Sequence, residues 1–183
     1  PTLTTVGNVT SRKGQQTVIR HLPKLITVFP DLHYHCIGLK TEAADFEALA
    51  RQLEVAAHVT FHGRVEDSKL KSILLKTDIF VMLSSETETG DVEGFGIAVL
   101  EANALGIPAI GSTGCGIEDA INDGHSGILI DGRNPQAFLE AIQCVMQTRE
   151  RFKSGAFEWA SKHHWEDIVK QYIRVLEANG GDF

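Results

Sequence analysis

Short apolar or β-branched runs alternate with helix-period segments along almost the whole chain, and this alternation limits the available folds more than any single motif does. Residues 3–6, 32–37, 58–61, 79–83, 108–111 and 127–130 are each bounded by Gly, Pro, Ser or Asp and read as strands. Between them, residues 15–29 place Val18, Leu22, Leu25 and Phe29 on one helical face, and Phe46, Leu49, Ala50 and Leu53 repeat that spacing. Further helices are predicted around Leu70, Ile73 and Leu74, over residues 95–104 and over 135–146, with a short turn at 117–121. Pro30 closes the first helix, and Pro135 opens the 135–146 helix at its first turn. Residues 152–176 read as a closing helix with Trp159, Trp165, Ile168, Tyr172 and Val175 supplying apolar contacts. Strand–helix alternation implies parallel strands joined by right-handed crossovers. The expected fold is therefore α/β: an open, Rossmann-like parallel sheet of about six strands, helices on both faces, and C-terminal helices after the last strand. Ligands of such sheets bind beyond the carboxyl ends of the strands, which gathers the loops at 7–14, 63–68 and 86–96 on one edge.

Size and charge narrow the functions this edge can serve. With 183 residues, 43% of them hydrophobic, the chain can bury a core and is most simply one domain, residues 1–183. A formal net charge of −7 disfavours a nucleic-acid groove, so any polyanion site must be local, built from a few cations and backbone N–H groups. Cys36, Cys115 and Cys144 lack metal-ligand spacing and read as reduced thiols of a cytoplasmic protein. No apolar run approaches the ~20 residues that span a bilayer, and no signal segment opens the chain, so a soluble domain is expected. The chain begins Pro1-Thr2, without an initiator methionine, and enters a strand at once. A domain cut from a longer polypeptide is the expectation.

The segment from Asp91 to Glu101 carries the most chemistry. Glu93 and Glu101 flank Gly94 and Gly96, and the residues from Phe95 onward read as the first turns of a helix. Glycine lets the backbone approach a ligand closely, and the free N–H groups of a helix start favour an anion. Carboxylates beside them can accept hydrogen bonds from hydroxyls, so a ligand with both phosphate and hydroxyl groups, such as a nucleotide sugar, fits the mixture. An ordinary strand-to-helix turn with two solvated carboxylates fits the local motif equally well. A glycosidase pair fits less well: eight residues of helix rise span about 12 Å, against carboxyl separations of about 5 to 9.5 Å in such enzymes. Just before Glu93, residues 84–91 form a polar, acidic stretch that reads as a mobile loop. His33, His35 and His62 lie in or beside strands and read as packed histidines. His163 and His164 are adjacent on a helix, point apart, and so do not share a metal.

Taken in order, Val6-Gly7 with Lys13-Gly14, Phe61-His62-Gly63-Arg64-Val65, Glu93-Gly94-Phe95-Gly96 with Glu101-Ala102, Gly106-Ile107-Pro108 and Gly114-Cys115-Gly116-Ile117-Glu118 resemble the retaining glycosyltransferases of family 4. The resemblance covers nearly the whole chain and is to the C-terminal, donor-binding half of the two-domain GT-B fold. It implies transfer of a sugar from a nucleoside-diphosphate sugar to an acceptor with retention, in cell-surface polysaccharide or glycoconjugate synthesis, without metal or other cofactor. It also implies a cytoplasmic enzyme whose N-terminal acceptor-binding domain is absent here and would carry any peripheral membrane attachment.

By the same resemblance, Glu93 contacts hydroxyls of the donor sugar and Glu101 holds the ribose. Backbone N–H groups of Phe95, Gly96 and Ile97, following Gly94, face the sugar and diphosphate. Lys13 neutralises the departing diphosphate, Arg64 and Val65 line the base pocket, and the loop at Gly114, Gly116 and Glu118 adds donor-side backbone contacts. Two departures stand out. Asn8 occupies a position where the family often has arginine, with Arg12 as the candidate replacement. The segment before Glu93 is longer than usual and adds Glu86 and Glu88. Two other readings remain: a nucleotide-sugar epimerase of the same architecture, and a non-catalytic nucleotide-binding module. A dinucleotide or nucleoside triphosphate is disfavoured, since no G-x-G-x-x-G turn follows the first strand and no G-x-x-x-x-G-K-[ST] loop occurs.

Overall fold

A computed structural model describes residues 1–179, so residues 180–183 of the expected domain lie outside the described residues. The chain runs β1 (Thr2–Val6), α1 (Gln15–Ile26), β2 (His33–Ile37), α2 (Ala43–Gln52), β3 (Val59–Gly63), α3 (Asp67–Leu74) and β4 (Ile79–Met82). It continues α4 (Ile97–Asn103), β5 (Ala109–Ser112), α5 (Ile117–Ala120), β6 (Gly127–Ile130), α6 (Pro135–Gln147), α7 (Arg149–Ser161) and α8 (Trp165–Asn179). Six parallel strands form one sheet in the order β3-β2-β1-β4-β5-β6. All six were legible in the sequence to within a residue or two. The chain builds outward from β1 to β3, then returns to lay β4 on the other side of β1, so the strand order reverses between β1 and β4.

Alternating side chains of the sheet feed two cores, one on each face. Ile79 and Val81 of β4 join Leu3, Tyr34 and Cys36 against α1, α2 and α6, while Phe80 and Met82 join Val99, Ala102, Ile117 and Ala120 on the opposite face. Polar groups buried at the sheet centre are paired: the Thr5 hydroxyl donates to the Val81 carbonyl and lies 2.7 Å from the Tyr34 hydroxyl, which can therefore donate to it. This ties β1 to both of its neighbours.

Three helical boundaries differ from expectation. α1 ends at Ile26 rather than Phe29. Pro23 inside it removes one backbone donor, and Pro30 disfavours helical geometry at Phe29, so the chain leaves through a turn in which Val28 and Phe29 both donate to Leu25. α4 starts at Ile97, not Phe95, because Gly96 adopts the left-handed conformation with φ 88°. The tail is two helices, α7 and α8, separated at residues 162–164, where Lys162 and His163 donate to Trp159 and Ala160 in tighter turns. Trp159 does anchor α7, donating from its indole to the Ala120 carbonyl at 2.9 Å. Trp165 and Tyr172, expected as packing residues, are instead 72% and 68% exposed.

On the β2–β3 side of the sheet, His62 Nε2 and His35 Nδ1 share a hydrogen bond at 3.0 Å, and the His33 ring lies 4.8 Å from that of His35. Burial, then His33, His62 and Lys69, pushes the His35 imidazolium down to about 4. His33 is lowered by burial and His58, and His62 by burial, Lys69, His33 and Lys40. Below the ordinary imidazole value of about 6.5 the unfolded chain takes up protons that these three sites refuse in the folded state. Stability is therefore expected to fall as pH drops from 6.5 towards 4. The check is the urea midpoint measured across that window, where His35→Gln should flatten the slope.

Candidate functional site

The loop after β1 is held from several sides. Val9, fully buried, donates to Leu39 O and accepts from Glu42 N. The Glu42 carboxylate accepts from Ser11 N at 2.9 Å, and the Gln15 amide donates to Asn8 O at 3.1 Å. A single 3₁₀ turn, Ser11–Lys13, then ends at Gly14, which takes φ 76° and begins α1. A β-carbon at Gly14 would sit 1.9 Å from the Leu83 carbonyl oxygen at the end of β4. Only a residue without a side chain permits that approach. Ser85 N donates to Arg12 O at 3.3 Å, so the loops leaving β1 and β4 are also joined by backbone.

The second loop brings a carboxylate to the first. Glu93 is anchored through its own carbonyl, which accepts from Gly116 N at 2.9 Å. Its side chain, 11% exposed, accepts from Arg12 Nη1 and, at 2.7 Å, from Lys13 Nζ. The other edge of the Arg12 guanidinium pairs with Asp91, Nε to Oδ2 at 3.1 Å. Two cations and two carboxylates thus form one connected group at the carboxyl edge of the sheet, beside the β1–β4 reversal. Residues 84–91, predicted mobile, contain a hydrogen-bonded turn: Thr87 N donates to Asp91 O at 2.9 Å, and Asp91 N donates to Thr87 Oγ1 at 3.0 Å.

Of the residues predicted from sequence, Lys13, Arg12 and Glu93 are brought into direct contact. Asn8 is exposed on the same loop and lines a polar cleft of 660 Å³ between the first loop and residues 85–91. Gly94, Phe95, Gly96 and Ile97 carry the chain from Glu93 into α4, with Ile97 as its first helical residue rather than an interior one. Glu101 points elsewhere: it lies exposed on α4 and lines a mostly apolar cleft of 780 Å³ against α7 and α8, with Phe95, His163 and Trp165. The two clefts share no lining residue among those described. Arg64 and Val65 follow β3, two strand positions from β1, hence about 10 Å across the sheet. At Gly114 the backbone N–H donates to the Glu118 carboxylate at 2.6 Å, an internal cap for that loop. Among the described residues no group of three His, Cys, Asp or Glu could hold a metal ion.

Two contributors were not singled out from sequence. Glu42, which fixes the first loop, carries no local signal, since its contact spans 31 residues of chain. Asp91 does carry one: it stands two residues before Glu93, a spacing that puts both side chains on one side of an extended segment.

Residues 1–159 match the family described as glycosyl transferases group 1. The chain belongs to the group 1 glycosyl transferases. Among relatives of this group 1 chain, a GDP-mannose-dependent alpha-(1-6)-phosphatidylinositol monomannoside mannosyltransferase of Mycobacterium tuberculosis is 30% identical over 98% of the chain and 48% of its own length. A D-inositol 3-phosphate glycosyltransferase of Corynebacterium urealyticum is 28% identical over 94% of the chain and 42% of its own length. The chain therefore spans less than half the length of these relatives. Among solved structures, sucrose-phosphate synthase from Thermosynechococcus elongatus superposes with a TM-score of 0.81 at 22% identity, over 97% of this chain and 45% of that one. The pneumococcal O-GlcNAc transferase GtfA, in complex with UDP and GlcNAc, gives 0.79 at 20% identity, over 99% and 36%. The likeness to solved structures establishes the fold, a six-stranded parallel α/β sheet shared with the GT-B glycosyltransferases.

Gly14 carries the geometry of this charged cluster, because it seats Arg12 and Lys13 against the end of β4. Gly14→Ala is expected to destabilise the protein by roughly 2 to 4 kcal/mol, through backbone strain and the clash with Leu83 O. Chemical denaturation checks it, and a variant as stable as the parent would show that the two loops can separate freely.

Proposed function

We propose that this chain is the donor-binding half of a retaining, metal-independent glycosyltransferase that moves a hexose from a nucleoside-diphosphate sugar to an acceptor. The observation that carries the reading is the meeting of Lys13 and Arg12 on Glu93, at the sheet edge where the strand order reverses. Before donor arrives, Glu93 serves the two cations as counter-ion and keeps them in place. When donor is bound, the cations face the diphosphate and Glu93 exchanges ion pairs for hydroxyls of the sugar. As the glycosidic bond breaks, negative charge grows on the departing diphosphate, and Lys13 and Arg12 meet that charge in position, which lowers the barrier. Asn8, Gly94, Phe95, Gly96 and Ile97 would complete the sugar and phosphate contacts, Glu101 the ribose, and Arg64 and Val65 the base.

The domain that recognises the acceptor belongs to the part of the polypeptide not represented here, so the isolated chain binds donor weakly and transfers nothing. GDP-mannose dependence in a relative 30% identical makes GDP the first nucleotide to test. A cytoplasmic setting agrees with three free cysteines, Cys36, Cys115 and Cys144.

Calorimetric titration with GDP, UDP, ADP and NAD is the direct test. One nucleoside diphosphate should bind, and Glu101→Ala should weaken it; binding of none, or no change in Glu101→Ala, refutes the donor and ribose assignments respectively. In the full-length enzyme, Lys13→Ala should lower turnover roughly 100- to 1,000-fold. Release of nucleoside diphosphate with a new glycoside, rather than an isomerised donor, separates transfer from epimerisation.

A further inference from the structure

The charges around the first loop cancel in pairs. Arg12 and Lys13 supply two positive charges, and Glu93 and Asp91 supply two negative ones in contact with them. A diphosphate approaching this edge meets cations already satisfied, in a protein whose net charge of −7 also repels it. Glu93 has a second role when donor is bound, in the sugar contacts assigned above. Asp91 has none. Its side chain is 67% exposed, and among the described residues its ion pair is to Arg12 Nε.

The way Asp91 is held makes it releasable. Its backbone closes the turn with Thr87 in both directions, N–H to Oγ1 at 3.0 Å and carbonyl from Thr87 N at 2.9 Å, and Gly90 N donates to Thr87 O at 2.9 Å. None of these bonds uses the carboxylate. The carboxylate can let go of Arg12 while the turn stays intact, and the polar cleft of 660 Å³, which both residues line, leaves room for it. Arg12 is more firmly seated. Its other pair is with Glu93, whose backbone is bonded to Gly116, and its own carbonyl accepts from Ser85.

We propose that Asp91 is an internal competitor for the diphosphate of the donor: it occupies the Nε edge of Arg12 in the free protein and is displaced when a phosphate oxygen takes that edge. This rests on the donor-site reading above. The acidic segment before Glu93 then has a definite effect. It holds the affinity for nucleoside diphosphate below what Arg12 and Lys13 would reach alone, and it re-forms its pair as the product leaves. Because leaving group and product are the same diphosphate, a competitor at this position opposes product retention.

The test is calorimetric titration of the protein with GDP, UDP and ADP, using the nucleotide the wild type binds best, for wild type, Asp91→Asn, Asp91→Glu, Arg12→Gln and the double variant Arg12→Gln/Asp91→Asn. Asp91→Asn should bind about two- to fivefold more tightly, the range expected for freeing an exposed ion pair. Asp91→Glu, which keeps the charge, should stay near wild type, and Asp91→Asn should give no gain in the Arg12→Gln background. Equal or weaker binding by Asp91→Asn overturns the proposal, weaker binding marking Asp91 as a residue that positions Arg12 for the ligand. A gain that survives without Arg12 also overturns it, because the effect would then be a general loss of negative charge. If the wild type binds no nucleoside diphosphate, the donor-site reading itself fails and this inference with it. If it binds and only the Asp91 results disagree, the donor site stands and the competitor does not.

Discussion

Between the first loop and the end of β4 there is no room for a single β-carbon: Gly14 lies against the Leu83 carbonyl, and the rest of the ligand edge is arranged around that approach. β1 and β4 are neighbours because the chain returns across β1 after completing β3. Their loops therefore leave the sheet side by side, but adjacency alone would leave two polar loops to drift apart in water. The glycine lets them touch, Ser85 and Arg12 share a backbone hydrogen bond, and the Thr5–Val81 bond ties the strands beneath. Lys13 and Arg12 can then reach a glutamate 80 and 81 residues further along the chain. Long-range order in the site is a consequence of close packing at one backbone position.

The alternation of apolar runs made the sheet, its six strands and its two helical layers readable in advance, since burial on both faces leaves period and length as the main variables. Gly96 was identified as a special backbone position, but it was placed inside a helix that begins only after it. A left-handed glycine stops the helix from extending backward, and hydropathy does not record φ. The split between α7 and α8 falls at the polar residues Lys162, His163 and His164, where the backbone bonds tighten and the His163 ring lies 4.5 Å from that of Trp159; composition shows a polar stretch there but not the backbone break. In the site, Lys13, Arg12 and Glu93 were named from their motifs and do meet. Glu42 and the Asp91–Arg12 pair depend on contacts between loops distant in sequence; no local pattern marks Glu42, and the Asp91–Glu93 spacing marks a shared side but not the cation opposite it.

Glu93 and Glu101, close in sequence, serve two surfaces from either side of the start of α4. The first faces inward to the cations, while the second lies on α4 beside an apolar cleft walled by α7 and α8. Under the proposed function these are two ends of one extended ligand that passes the start of α4, sugar at one side and ribose at the other. The left-handed turn at Gly96 is what separates them, because a helix begun at Glu93 would have carried both carboxylates along the same rod.

The turn from Thr87 to Asp91 touches the cation group by one side chain and lies outside both hydrophobic cores. Scaffold and tuning are thus physically separate: Arg12 and Lys13 are seated through the backbone beside the end of β4, whereas Asp91, one of the two charges that oppose them, sits on a segment outside both cores. Under the proposed function, substitutions there adjust how strongly the edge holds an anion while leaving the packed cores untouched. On that reading, the segment is a place where function can drift while the architecture stays still.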